Sequence, residues 1–246
     1  MSDASVTPYK VDLSTAAIIR RARALISGKY ALFLGISVAG VVVGGAIPPA
    51  ILMGAMLCGI YDCYRKHDSG QAVELSDLFK GFDHFVQGLI ATLVILVTTV
   101  VTTGPFIAAF IIGLAMLDSP GDAESALGTT LIAGSAAAIF LIKVVLRTLT
   151  QFTYPLILDR KLTAFEAIRT SARGAWMNLT SVLATEFVAS LALFVFGTCT
   201  CFVGIWFLLP FYFAMNWVEY TEIFADVEVD SEEETVFVDD EEDELG

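Results

Sequence analysis

The sequence predicts an all-α integral membrane protein: a six-helix bundle with three cytoplasmic interfacial amphipathic helices and a disordered acidic C-terminal tail. Three observations carry this. Hydrophobic residues make up 56% of the 246-residue chain and charged ones 17%, with a mean hydropathy of +0.73. Charges are absent from Tyr30 to Tyr61 and from Phe85 to Leu117, and each run exceeds the ~20 apolar residues that cross a hydrocarbon layer of about 30 Å. Finally, the net charge of −13 is local, because 12 of the 27 acidic residues lie between Asp226 and Glu244, where no Lys or Arg occurs. The chain therefore divides into a disordered N-terminus (1–12), a transmembrane domain (13–224) and the tail (225–246).

The first charge-free run carries Gly44-Gly45-Ala46-Ile47-Pro48-Pro49 at its centre. Two prolines after two glycines favour a turn over a continued helix, so the run is read as two short spans, 30–46 and 49–63. The second run breaks at Gly104-Pro105, too close to its end for a separate crossing. It is read as one kinked span, 86–117, with neighbouring helices satisfying the freed backbone groups. Further spans follow at 127–154, 179–198 and 201–221. Six spans place loops 44–49, 118–126 and 197–201 on one side, and none of them contains Lys or Arg. Basic residues cluster in 10–29, 65–80 and 143–173, so the positive-inside rule puts both termini in the cytoplasm. The opening, MSDASVTPYKVDLS, does not read as a signal peptide, since no apolar core follows a basic stretch.

Three segments begin alike, with Leu13-Ser14-Thr15, Leu75-Ser76-Asp77 and Leu162-Thr163-Ala164. Each offers a Ser or Thr helix cap, and Thr163 with Glu166 matches a capping box. Each continues with an apolar face: Ile18, Ile19, Ala22, Leu25 and Ile26 in the first; Leu78, Phe79, Phe82 and Phe85 in the second; Phe165, Ile168, Ala172 and Trp176 in the third. That spacing suits helices lying in the interface with the apolar side in the acyl chains. The unit is an interfacial helix followed by a transmembrane hairpin, used three times. Small residues spaced by four, Gly40 with Gly44, Ala50 with Gly54 and Ala55 with Gly59, predict close helix packing, as does the run Ala133–Ala138.

The stretch Gly59-Ile-Tyr-Asp62, then Val73-Glu-Leu-Ser-Asp-Leu-Phe-Lys-Gly-Phe82, Tyr154-Pro-Leu-Ile-Leu-Asp159 and Ala167-Ile-Arg-Thr-Ser171, resembles a loose set of bacterial multi-pass membrane proteins. These include relatives of the membrane domain attached to some glycerophosphodiester phosphodiesterases. The resemblance covers most of 13–222 and implies a six-helix protein of the cell inner membrane, with no functional residues to carry over. The acidic tail departs from that pattern.

Charged side chains within spans are costly and mark candidate sites. Lys143 and Arg147 sit one turn apart on the fourth span and Glu186 lies about two turns into the fifth. They form a candidate polar cluster in the inner half of the bundle, read either as a structural pair or as a point on a path. His67 and His84 have no metal-ligand spacing, the four cysteines form no CxxC pair, and Ser37 in Gly-Ile-Ser-Val-Ala-Gly is no nucleophile elbow. No catalytic residue, cofactor, metal or nucleic-acid partner is expected, and the chain reads as a non-enzyme. In the tail, Val236, Phe237 and Val238 form an apolar island between acidic flanks, a candidate anchor for a cytoplasmic protein partner. Beyond the lipid bilayer itself, two functions stay open: a membrane scaffold acting through its tail and cytoplasmic helices, or a transporter or channel component with the inner-half charges on its path.

Overall fold

Helix length decides what each element can do in a bilayer, at 1.5 Å of rise per residue. The computed structural model describes residues 7–11, 14–46, 51–117 and 121–225. Among them every regular element is helical: α1 (Thr15–Ile26), α2 (Tyr30–Gly45), α3 (Met53–Asp68), a 3₁₀ helix (Leu75–His84), α4 (Phe85–Leu117), α5 (Asp122–Thr150), α6 (Thr153–Asp159), α7 (Ala164–Met177), α8 (Leu179–Cys199) and α9 (Val203–Ile223). By length and composition, three helical stretches are long and apolar enough to cross a membrane: Leu75–Leu117, Asp122–Asp159 and Leu179–Cys199. A fourth is added if α1 and α2, bent by 99°, count as one span. The 16 residues each of α2 and α3 reach only ~24 Å. In α9, a helix of 21 residues, the second half carries Asn216, Glu219 and Glu222.

The outer faces of α4, α5 and α8 are apolar and exposed, with Val101 at 67%, Leu141 at 61% and Phe194 at 66%. The aromatic core sits where α1, α2, α3, α6, α7 and α9 converge. Phe33, Tyr61, Tyr64, Phe152, Trp217 and Phe224 are all buried there. Phe33 stacks on Tyr64 at 4.6 Å and Tyr220 on Phe224 at 5.3 Å. Two glycines let α3 lie directly against its neighbours: a Cβ on Gly54 would stand 2.1 Å from Gly88 O, and one on Gly59 1.8 Å from Leu78 O. The small-residue spacing therefore marks real close approaches at Gly54 and Gly59. At Gly134, inside the alanine run, a Cβ would meet nothing within 4 Å.

Several sequence expectations are corrected. Residues 7–11 lie within the stretch read as disordered, yet the Tyr9 N–H donates to Ile223 O at 3.0 Å. The Val11 N–H donates to Asn178 Oδ1, and Asn178 Nδ2 returns a bond to Tyr9 O, both at 2.8 Å. The apolar face of α1 turns inward, where Ile18, Ala22 and Ile26 are buried against the end of α9 rather than in acyl chains. The second amphipathic segment is a 3₁₀ helix capped by Glu74 with Asp77, not by Ser76. Its Leu78 is buried while Phe79 and Phe82 are exposed. In α7 the Thr163–Glu166 capping box forms and Phe165 and Trp176 are exposed. The fourth apolar stretch breaks at Gln151–Phe152, between α5 and α6. The centre of the predicted turn at 47–50 and the tail anchor Val236, Phe237 and Val238 lie outside the described residues.

Candidate functional site: a charged cavity between α3, α4, α5, α8 and α9

The helical repeat puts Lys143 and Arg147 on one stripe of α5, continued by Gln151 at its C-cap, and Tyr212, Asn216 and Glu219 on one stripe of α9. The two stripes meet in register. Arg147 Nε donates to Tyr212 Oη at 2.5 Å, and two turns nearer the end of α9 Gln151 Nε2 donates to Glu219 Oε2 at 3.1 Å. From α8, Glu186 joins the first of these contacts. Tyr212 Oη lies 3.3 Å from both Glu186 carboxylate oxygens and donates to them. Ser190 Oγ donates to Glu186 Oε1 at 3.4 Å, and Arg147 Nε stands 4.0 Å from the same oxygen. The Arg147 guanidinium also sits 5.0 Å from the Tyr212 ring centroid, a cation–π placement. Of the predicted cluster, Arg147 and Glu186 are thus brought together. Lys143 makes no ion pair with Glu186 and lines the adjoining cavity instead.

That cavity has a volume of about 620 Å³, within the range of small-molecule sites. Its polar wall is Lys143, Arg147, Glu186, Ser190 and Tyr212, with Thr99 and Thr150; Met53, Leu57, Ile95, Phe140, Leu193 and Leu209 supply apolar walls. Two cations face one carboxylate, leaving one positive charge over. Glu186 is 5% exposed and the Arg147 side chain 36%. The pair's net worth to stability is small, because desolvation offsets attraction, whereas removing one member strands the other.

A second charged group lies outside the cavity. Asp77 accepts from Lys66 at 2.5 Å and Lys80 at 2.7 Å, and from the Glu74 N–H at 3.0 Å. The Lys66 hydrogen bond above all, then those of Lys80 and Glu74, hold the Asp77 carboxyl well below its usual range. Asp62, 2.5 Å from Arg65 and 3.8 Å from Lys66, extends the group. It ties α3 to the 3₁₀ helix.

Sequence reasoning placed one carboxylate within the spans and missed Glu219, which is 1% exposed. It also passed over Gln151, Tyr212 and Asn216. The signal was available: Tyr212, Asn216 and Glu219 are spaced by four and three in an otherwise apolar helix. No family model, curated protein or solved structure matches the chain.

Proposed function

We propose that the chain crosses the inner membrane six times with both termini in the cytoplasm, and that its cavity binds an anionic amphiphile as part of a transport pathway. The crossing count is supported by the absence of Lys and Arg from loops 118–126 and 197–201. Although α3 is short, ten of its residues are buried, and helices enclosed by protein need not match the lipid thickness. The 99° bend between α1 and α2 suits a helix lying along the membrane followed by one entering it. Exposed Phe165 and Trp176 on α7 suit the same interface.

The observation that carries the ligand class is the uncompensated cation beside an apolar chamber. A carboxylate or phosphate head on Lys143 and Arg147 would neutralise it, while an acyl chain would lie against Met53, Leu57, Ile95 and Phe140. This favours the transporter reading over the scaffold. The test is binding of a spin-labelled fatty acid and of the matching fatty alcohol to the full chain in nanodiscs. The acid should bind and the alcohol should not, and Lys143→Leu should weaken the acid about tenfold, the loss of one charge-assisted hydrogen bond. Equal binding of acid and alcohol would sink the assignment.

A further inference from the structure

The contact between Gln151 and Glu219 holds two polar atoms without partners. Gln151 Nε2 donates to Glu219 Oε2, yet the remaining oxygen of each side chain, Gln151 Oε1 and Glu219 Oε1, is buried with no hydrogen bond among the described residues. Buried oxygens are rarely left so. A few hydroxyls, Thr148 and Thr153 among them, are also buried without a partner among the described residues, but here two orphaned acceptor oxygens belong to side chains already joined by a hydrogen bond. An ionised carboxylate and an amide oxygen are both acceptors, so neither can satisfy the other. One added proton satisfies both.

The surrounding charges leave Glu219 without a cation. Arg21 of α1 pairs with Glu222. Arg147 of α5 is engaged with Tyr212 and Glu186, and Arg160, after α6, bonds Phe224 O and Asp159. Asp159 also accepts from Tyr220 at 2.8 Å. From α8 come Glu186, a charge of the same sign, and Thr185, whose hydroxyl reaches toward the Glu219 carboxylate but is placed on Ser181 O at 3.0 Å and Thr15 Oγ1 at 3.4 Å. From α3 come Tyr64, which donates to Pro210 O, and Asp68, which accepts from the Trp217 indole. Tyr30, where α2 begins, donates to Phe207 O. Among the described residues no cation pairs with Glu219.

We propose that Glu219 is a proton-binding site: its side chain is held as a neutral carboxylic acid whose O–H donates to Gln151 Oε1 while the Gln151 amide donates back. The result is a cyclic acid–amide pair clamping α9 to the break between α5 and α6. Release breaks the O–H bond, leaves the electron pair on Oε1 and passes the proton to water. It also sets two acceptor oxygens against each other, so the clamp loosens as the proton leaves. The site stands independently of the ligand assigned to the cavity.

Infrared spectroscopy of the full chain in a bilayer tests this. At neutral pH a carboxylic-acid C=O band should be present, vanish in Glu219→Gln and persist in Glu186→Gln. In Gln151→Leu, which keeps the acid and removes its acceptor, the band should remain but shift to higher frequency. Absence of the band in the native protein, as a bound cation in place of the proton would produce, overturns the proposal. So does a band that survives Glu219→Gln. Should Glu219→Gln not fold, an unshifted band in Gln151→Leu decides against the pair.

Discussion

Replacing Gly59 with Ala should loosen the bundle from the inside. A Cβ at this position would stand 1.8 Å from the Leu78 carbonyl oxygen, where contacts under 3.0 Å are essentially never found. The obstacle is backbone, so no rotamer change relieves it, and α3 must separate from the 3₁₀ helix by about 1.2 Å. The same seam holds Gly81 on Ala55 O, and the adjoining seam of α3 with α4 holds Gly54 on Gly88, so both would be disturbed with it. Overpacking of this kind costs up to about 3 kcal/mol, and alanine recovers about 1 kcal/mol through its helix propensity. The net loss is about 2 kcal/mol, a fall in Tm of roughly 4–8 °C for a chain of this size. Gly134→Ala is the matched control, since its Cβ would meet nothing within 4 Å; it should hold or raise Tm. Thermal unfolding of both variants in detergent is the assay. A Gly59→Ala protein that melts at or above the parent would refute the backbone contact.

The remaining expectations concern charge. Arg147→Met should cost about 3 kcal/mol by stranding buried Glu186, and the double change with Glu186→Met should recover most of it; a double variant as unstable as the single would show that the two do not act as a pair. Asp77→Asn should cost about 2 kcal/mol at neutral pH, the worth of a charge-assisted hydrogen bond. Because the folded-state carboxyl is held below its ordinary 3.8, its contribution is complete above that pH and is lost as the pH falls through the depressed folded value. Denaturation across an acid series should show the gap between parent and variant closing as the medium becomes more acidic. A gap unchanged by acid would argue against the Lys66–Asp77 bond.

That the chain is helical, with a few helices long and apolar enough to cross a membrane, was legible because such helices announce themselves by length and the absence of charge. The helices α4, α8 and α9 fall on the stretches read as spans 86–117, 179–198 and 201–221, but that each crosses a membrane is part of the proposal. What hid was anything set by partners distant in sequence. The α1 apolar face has the pattern of a lipid-facing stripe, but α9 covers it, and no periodicity tells protein from lipid. The break at Gln151–Phe152 carries neither glycine nor proline; Phe152 N–H instead meets Ser171 Oγ, which itself donates to Leu149 O. Lys143, Arg147 and Glu186 were grouped as one polar cluster because charges in apolar runs stand out, and Arg147 and Glu186 do meet. Their link through Tyr212 was not legible, since a tyrosine in an aromatic-rich helix reads as packing until its hydroxyl is placed.

The native cysteines test the proposed six-span arrangement. Cys199 and Cys201 are exposed at the turn between α8 and α9, whereas Cys58 and Cys63 are buried. A membrane-impermeant maleimide applied to intact spheroplasts should label Cys199 and Cys201, and a Cys199→Ser/Cys201→Ser variant should take up none. Labelling of that turn only after the membrane is opened would place it in the cytoplasm and contradict the account.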